Sequence, residues 1–399
     1  MTAQPPEPAE TSGAHTYDWL GSGQSFLEAW LGSGQSFLEA QLRAIHSATA
    51  CLWIETYIFT DSQTGRQFLN ALVDAARRGV AVELLVDRFG SGSLPDDYFE
   101  PLLRAGGRQA WFNPPRPGRW TLRDHRKILL VDGATVFVGG CNISDEYAGD
   151  GVTRGWRDGG VRITGPVVQA IAQECREQWA RAHQNTWRLV RGGYCRTIGS
   201  HAEVTALFIK PGLGLNPLRR WLREDLKHAK NVAITAAYFL PTRRLRSQLI
   251  QADKRGARVR LLLPGISDIP LLARATRSLH RGLQRGGIEL FEYMPQVLHA
   301  KALVLDDIVY IGSANLDPRS LRINFEIMLR IKNAALAREA LAQFEQDLTH
   351  SRAVTPAAIG GLHALGRWLL EKLAWFIFAR LDPWIARGQL RRHKRPQHP

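Results

Sequence analysis

The 399-residue sequence has few cysteines and no long hydrophobic run. Its four cysteines, Cys51, Cys141, Cys175 and Cys195, lack Cys-x-x-Cys spacing, which argues against a zinc site or a disulfide framework and favours a reducing compartment. No stretch reaches the roughly 18 to 20 apolar residues that cross a bilayer, so any membrane contact should be peripheral. We predict neither a metal site nor a bound cofactor.

The first residues also lack the basic and apolar regions of a secretory signal. We expect residues 1–17 to form a disordered tail. A tandem copy follows, because LGSGQSFLEAW at 20–30 is repeated as LGSGQSFLEAQ at 31–41. Since the length of the copy is close to three helical turns, we expect Phe26 and Phe37, or Leu27 and Leu38, to lie on nearly the same helical face.

Acidic residues are scarce relative to basic ones. Lys and Arg number 52 against 37 Asp and Glu, which gives a formal net charge of +15. This excess predicts an anionic partner: a nucleic acid, a phospholipid surface or a phosphorylated substrate. Charge alone does not choose among them.

A larger repeat divides most of the chain into two halves, at 18–192 and 193–352, with a seam near Arg191-Gly192-Gly193. Each half opens on an apolar run ending in aromatic residues, CLWIETYIF or VAITAAYFLP. An Arg-Gly helix end and a short buried strand follow in both halves. Strands alternating with helical patterns predict an α/β fold of two similar sandwich lobes.

Each half carries one His-x-Lys-x-x-x-x-Asp motif, with identical spacing, on an apolar segment that reads as a β-hairpin. Histidine and lysine two residues apart point to one face of a strand. There the lysine can neutralise the oxygens of a phosphodiester, while the histidine attacks phosphorus or moves a proton. The motif residues are His125, Lys127 and Asp132 in the first half, and His299, Lys301 and Asp306 in the second.

Other polar residues follow both motifs. Asn142 and Asn315 come after small residues and can donate to phosphate oxygens, and Asp158 and Glu326 can fix a histidine tautomer. The two half-sites are unequal, because Gly140 stands in the first half where Ser313 stands in the second. The remaining expectations are a pocket-wall role for Tyr57 and Tyr238 and a structural turn role for Asp132 and Asp306.

From Tyr57 to Glu326 these motifs resemble the phospholipase D superfamily, and within it most closely the short bacterial cardiolipin synthases, which lack N-terminal membrane spans. The resemblance implies a pseudo-dimer of two lobes that share one active site. It implies a phosphohistidine intermediate, with His125 as nucleophile and His299 as acid and base. The lysines, the asparagines and Ser313 would hold the phosphate without a metal, Glu326 would orient His125, and Asp158 would orient His299.

Residues 353–399 are Trp-rich and apolar around 365–380 and end in a basic cluster at 391–395. We predict a helix lying on an anionic membrane surface, with docking of this helix on the soluble core as the alternative. Together with the resemblance, this predicts a peripheral protein on the cytoplasmic face of a bacterial inner membrane.

The predicted activity is transfer of a phosphatidyl group from one phospholipid to an alcohol. The alternatives are a phospholipase D hydrolase, a nuclease of the same superfamily that uses its charge to bind a nucleic acid backbone, and an inactive lipid-binding scaffold. We expect a phospholipid rather than a nucleic acid as substrate. The acceptor stays open among phosphatidylglycerol, phosphatidylethanolamine and water, and so does the oligomeric state.

Overall fold

Two β-sheets flanked by helices form the protein, as the α/β prediction requires. The computed structural model describes residues 27–113, 122–183, 194–197, 203–212, 216–355 and 370–381. The predicted tail at 1–17 and the predicted seam at 191–193 lie outside these residues. The division at 18–192 and 193–352 stays a prediction, as does the boundary of the segment 353–399.

The first lobe contains a seven-stranded sheet and four helices. In sheet order the strands are β1 (Leu27–Leu31), β7 (Gly160–Thr164), β6 (Thr135–Gly139), β5 (Ile128–Val131), β2 (Cys51–Thr56), β3 (Ala81–Asp87) and β4 (Arg108–Phe112). The helices are α1 (Gly34–Ser47), α2 (Gln63–Arg77), α3 (Glu100–Arg104) and α4 (Val167–His183).

The second lobe repeats this order and adds one strand at each edge. Its strands in sheet order are β16 (Ser351–Ala353), β12 (Glu289–Tyr293), β11 (Arg258–Pro264), β10 (Asn231–Ala236), β13 (Lys301–Leu305), β14 (Ile308–Gly312), β15 (Glu326–Lys332), β9 (Val204–Ile209) and β8 (Tyr194–Thr197). The helices are α5 (Pro217–Asp225), α6 (Arg243–Lys254), α7 (Pro270–Gln284), α8 (Ala334–Thr349) and α9 (370–376).

The predicted helix ends and hairpins are present in both lobes. Gly79 and Gly256 end α2 and α6 with φ of +89° and +92°, a left-handed conformation that favours glycine. The hairpins are β5–β6 and β13–β14, which pair antiparallel. Because β2 and β10 run antiparallel to β5 and β13, both histidine motifs lie at the carboxyl edge of the parallel strands.

A shared apolar core joins the lobes. It combines side chains of the first sheet, such as Ile128 and Val161, with side chains of the second, such as Phe208 and Val304. Each lobe has a further core on its outer, helix-covered side. Strands buried on both faces explain the nearly continuous apolar runs in the sequence, such as ILLV in β5.

The tandem copy does not behave as predicted. Leu27–Leu31, mostly from the first copy, form strand β1 at the sheet edge and pair antiparallel with β7. The second copy instead begins α1, where Ser33 caps the helix by accepting from the Ser36 N–H at 3.1 Å. The prediction that Leu27 and Leu38 share a helical face is therefore wrong, because Leu27 lies in β1 and Leu38 lies in α1. Pairing with an open sheet edge overrides the helical propensity of the same sequence. Phe26 lies outside the described residues.

Candidate active site

The two histidines are held by backbone hydrogen bonds that cross between the lobes. The His125 N–H donates to the Phe325 carbonyl at 2.9 Å, and the His299 N–H donates to the Arg157 carbonyl at 2.8 Å. These contacts belong to two isolated parallel β-bridges between the lobes, one joining Asp124 to Phe325 and the other joining Arg157 to Leu298. Each histidine is thereby fixed beside the residue that precedes the other lobe's carboxylate, Glu326 or Asp158.

The imidazoles pair with these carboxylates in the crossed arrangement. His125 Nδ1 lies 3.0 Å from Glu326 Oε2, and His299 Nδ1 lies 2.6 Å from Asp158 Oδ2. Donation from Nδ1–H to a carboxylate leaves the Nε2 lone pair as the acceptor of each ring, and on His299 this atom has Lys301 Nζ at 3.0 Å. Both rings therefore have the tautomer that a nucleophile or a general base requires.

The two carboxylates are supported differently. Glu326 Oε2 also accepts from the Ser313 hydroxyl at 2.6 Å, and Asn324 donates to Oε1 at 3.3 Å. At the corresponding place in the first lobe, a Cβ on Gly140 would lie 2.4 Å from both Asp158 oxygens. Gly140 thus makes room for the Asp158 carboxylate, and no hydroxyl takes the place of Ser313 there.

Both lysines lie next to the histidine of their own lobe. Lys127 Nζ donates to the His125 carbonyl at 2.8 Å. Lys301 Nζ donates to the His299 carbonyl and lies 3.0 Å from His299 Nε2. The site therefore gathers two ammonium groups around two imidazoles.

Burial dominates the electrostatics of these groups. It lowers the pKa of Lys127 to about 7, lowers the pKa of His125, and lowers the pKa of His299 well below its ordinary value. Charge from Lys301 further depresses the pKa of both histidines. Burial also raises the pKa of Asp158 to about 6, against the attraction of Lys301. These shifts favour the neutral form of both imidazoles.

The two asparagines have different surroundings. Asn142 Oδ1 accepts from the Ile58 N–H at 3.1 Å, and Asn142 Nδ2 donates to the Tyr147 hydroxyl at 2.8 Å. That hydroxyl lies 3.5 Å from both ring nitrogens of His299. Asn315 is buried, and its Oδ1 has no hydrogen-bond partner within the described ranges. Asn142 thus already connects to the histidine through Tyr147, whereas Asn315 keeps an unused polar atom.

Aromatic rings enclose the imidazoles. The Tyr57 ring centroid lies 4.8 Å from that of His125, and the Tyr238 centroid lies 6.2 Å from that of His299. Trp156 lies nearer to His299, at 5.5 Å, and Tyr147 at 5.3 Å. Neither Tyr147 nor Trp156 was predicted from the sequence, because neither has a counterpart in the second repeat.

The motif aspartates lie at the opposite edge of the sheets. Asp132 occupies the β5–β6 turn with φ of +49° and accepts from the N–H groups of Thr49, Ala50 and Cys51. Asp306, with φ of +51°, accepts from the N–H groups of Lys230 and Asn231. Both side chains tie a hairpin turn to the start of the neighbouring strand and contact neither imidazole.

The described residues lack two further kinds of feature. No group of three or more histidine, cysteine, aspartate or glutamate side chains there could hold a metal ion. Among those same residues, no helix has the length and hydropathy needed to span a bilayer.

Comparison with known proteins places this geometry in a family. The profile described as "Cardiolipin synthase, PLD-like domain" matches residues 42–179 and 222–348. Cardiolipin synthase A of Pseudomonas putida is 33% identical over 343 residues, which cover 81% of this chain and 68% of that protein. The Pseudomonas fluorescens protein of the same name is 34% identical over 316 residues, covering 74% of this chain and 63% of that protein. The chain thus spans about two thirds of the length of these relatives.

A solved structure shows the same fold. The phosphatidylserine synthase of Haemophilus influenzae Rd KW20 superposes with a TM-score of 0.64 at 15% identity, covering 92% of this chain and 96% of that one. The family model matches two domains with one His-Lys motif each, and the relatives are about one-third identical to this chain. The solved structure has the same two-lobed fold. The chain therefore belongs to the phospholipase D superfamily and, within it, to the family of cardiolipin synthase PLD-like domains.

Proposed function

We propose that this enzyme transfers a phosphatidyl group from one phospholipid to a hydroxyl group of a second, with phosphatidylglycerol as acceptor and cardiolipin as product. The observation that carries the proposal is the pair of crossed histidine–carboxylate contacts, at 3.0 and 2.6 Å. They orient two imidazoles beside two lysines. One phosphate between them would meet a nucleophile, a proton donor and two cations.

In the first step, the Nε2 lone pair of His125 attacks phosphorus. A P–N bond forms, the P–O bond to the headgroup alcohol breaks, and the leaving oxygen takes a proton from His299. In the second step, the acceptor hydroxyl gives its proton to His299 and its oxygen attacks phosphorus. The P–N bond then breaks, and both histidines return to their starting states.

Exposure and contacts favour His125 as the nucleophile. Its side chain is 11% exposed against 5% for His299, and its Nε2 has no hydrogen-bond partner among the residues described. His299 Nε2 instead has Lys301 at 3.0 Å. A bound phosphate would neutralise the lysine charges, raise the depressed pKa of His299 and allow it to carry the proton that the leaving group needs.

The surface around the site favours a lipid substrate over a nucleic acid. The loops after β3, β11 and β12 and the first turn of α7 begin at the same sheet edge as the histidines, and they carry exposed apolar side chains. A phosphate-binding groove for nucleic acid would instead be lined by cations. These side chains, which we term the apolar rim, are Phe89, Ile266, Ile269, Leu271 and Met294.

Helix α9 presents a second apolar surface. Leu370, Leu373 and Phe376 recur every three residues and are each about half exposed, whereas Ala374 is buried against the second lobe. Both predictions for the C-terminal helix therefore apply to α9. One face of the helix docks on the protein, and the other face remains available to lipid. We propose peripheral attachment to the cytoplasmic face of a bacterial inner membrane through α9 and the apolar rim.

The direct test incubates purified full-length protein with vesicles of headgroup-labelled phosphatidylglycerol and separates the lipid products. We expect cardiolipin and released glycerol in equal amounts. Phosphatidic acid as the main product would identify a hydrolase that uses water as acceptor. Cleavage of DNA or RNA without any lipid product would identify a nuclease.

A further inference from the structure

We propose that Arg126 is a positioning residue for the nucleophile, because its guanidinium, buried among three carboxylates, fixes the segment that carries His125 and Lys127. This inference rests on the proposed role of His125 as nucleophile. It goes beyond that role by assigning a function to the residue that separates the two motif side chains.

The strand pairing of the first lobe stops short of its motif. The ladder between β2 and β5 ends where Glu55 pairs with Ile128, which is also the first residue of β5. Residues 125–127 therefore lie between this ladder and the β-bridge to Phe325. The position of this segment depends on side-chain contacts as well as on the sheet.

The corresponding segment of the second lobe is paired further. There Lys301 is the first residue of β13 and pairs with Ala236. The Ala237 N–H donates to the Ala300 carbonyl at 3.0 Å, and the Ala300 N–H donates to the Arg157 carbonyl at 3.0 Å. The backbone thus holds the residue between histidine and lysine in this lobe, and an alanine is sufficient there.

In the first lobe an arginine side chain supplies the missing support. Side chains alternate across an extended segment, so Arg126 points away from the face that His125 and Lys127 share. The Arg126 side chain is buried and lies at ion-pair distance from three buried carboxylates. These are Glu55 at 2.9 Å, Asp124 at 3.2 Å and Glu174 at 3.4 Å.

The three carboxylates keep Arg126 charged. Burial opposes the charge, yet the carboxylates together raise the pKa of Arg126, with Asp124 contributing most among them. A planar cation with a carboxylate opposite each of three nitrogens cannot shift without breaking a buried ion pair, which is costly. Because His125 and Lys127 are its immediate neighbours in the chain, they are fixed with it.

The ion pairs of Arg126 continue into the second lobe. Glu174, on α4, also lies 2.8 Å through Oε2 from Lys210 Nζ. Lys210 directly follows Ile209 at the end of β9, and Ile209 pairs with Glu326. Glu326 is the carboxylate that orients His125. The cluster therefore joins the segment of the nucleophile to the strand that supplies its partner.

This role predicts a defect in one chemical step. Arg126 should affect the attack of His125 on phosphorus and should not affect proton donation by His299. A nitrophenyl leaving group needs no acid, whereas an alkyl alcohol does. Loss of Arg126 should therefore slow both kinds of substrate by the same factor.

The test follows the first turnover of soluble short-chain phosphodiesters with either leaving group by full-length protein in saturating excess. Under this condition unfolded molecules do not change the rate constant. Arg126→Lys keeps the charge but loses the planar fork, and it should lower the rate constant about tenfold or more for both substrates. Gly140→Ala, which displaces the partner of His299, should lose less with the nitrophenyl substrate than with the alkyl substrate.

A second variant covers the case in which a lone change at Arg126 prevents folding. The double variant Glu55→Met, Arg126→Met replaces one buried ion pair by apolar side chains of similar volume, a change that proteins often tolerate. Its rate constant should fall by roughly 100-fold, the effect of a displacement of about 1 Å at a reacting group.

The matched control is Arg330→Lys in the second lobe. Arg330 is buried and contacts Asp225 through two nitrogens, at 2.7 and 2.8 Å, away from both histidines. Its substitution removes the same kind of fork and should leave the rate constant within about twofold of wild type.

Three outcomes would overturn the proposal. The first is a rate constant within about twofold of wild type in folded Arg126→Lys and in the double variant. The second is a larger loss with the alkyl than with the nitrophenyl substrate, since proton donation would then be affected. The third is failure of both variants to fold while Arg330→Lys folds, which would assign Arg126 to folding alone. Wild-type protein that acquires no phosphoryl label on His125 would instead refute the proposed nucleophile.

Discussion

His125 and Glu326 belong to different lobes, yet their side chains meet at 3.0 Å because a backbone hydrogen bond joins His125 to Phe325, the residue before Glu326. His299 and Asp158 repeat this relationship in the opposite direction. Neither lobe thus contains a complete histidine–carboxylate pair of its own.

Replacing either histidine by alanine should lower transfer by roughly 100-fold or more, because the nucleophile or the proton donor is lost. The two variants should differ on a substrate with a good leaving group, which needs no acid. With that substrate, His299→Ala should accumulate an acid-labile phosphoryl label on the protein, and His125→Ala should not. Label on His125→Ala alone would reverse the two assigned roles.

The pH dependence of kcat/KM on a soluble short-chain phosphodiester should be a narrow bell. Activity should rise as pH passes the raised pKa of Asp158, about 6, because its carboxylate must be ionised to orient His299. Activity should fall as pH passes the lowered pKa of Lys127, about 7, because the neutral amine no longer balances the phosphate. Lys127→Arg keeps its charge at higher pH and should therefore shift the alkaline fall of kcat/KM to higher pH. If that fall stays at the same pH, it reports the titration of another group.

Gly140→Ala should misplace Asp158, since the new Cβ would lie 2.4 Å from both of its carboxylate oxygens. Loss of the hydrogen bond to His299 should reduce kcat by roughly 100-fold, the effect of a displacement of about 1 Å at a reacting group. Gly282→Ala is the control, because a Cβ there meets nothing within 4 Å. Similar kcat values for the two variants would show that the close approach is not needed.

Asp132→Ala should weaken folding without impairing catalysis. The change removes an acceptor for three backbone N–H groups and should cost roughly 1 to 3 kcal/mol in denaturant unfolding. Because these hydrogen bonds lower the pKa of Asp132, its contribution to stability is present above its unfolded pKa and is lost as pH falls through the folded value. Activity per folded molecule should match wild type, and a selective loss of kcat would indicate a chemical role.

The double variant Ile266→Ser, Ile269→Ser should bind anionic vesicles less tightly, by about tenfold or more, because each buried apolar side chain contributes roughly 1.5 to 3 kcal/mol. Hydrolysis of a water-soluble phosphodiester should be unaffected. Leu103→Ser changes an exposed leucine on α3, away from the site edge, and serves as control. Equal vesicle binding by all three proteins would exclude the apolar rim as a membrane contact.

The repeat made much of this architecture predictable. Two copies of the same strand, helix and hairpin pattern predicted two similar lobes, and the spacing of His125 and Lys127 placed both at the start of a hairpin strand. The close approach of Gly140 to Asp158 was less accessible, because it depends on how the ends of β6 and β7 pack in three dimensions. Tyr147 and Trp156 have no equivalent in the other repeat, so internal comparison could not identify them. The tandem copy shows the limit most directly, since one short sequence forms a strand in one place and a helix in the next.

The backbone bridges between the lobes also determine when this enzyme becomes active during its synthesis and folding. During synthesis the first half emerges with His125 already in its sequence but without the strand that fixes it, and Glu326 is made about two hundred residues later. A nascent or half-folded chain therefore carries no oriented imidazole, and phospholipid cannot be cleaved prematurely by a partial enzyme. Separately produced halves should likewise be inert alone and regain activity only on mixing, so docking of the lobes is itself the step that switches the enzyme on.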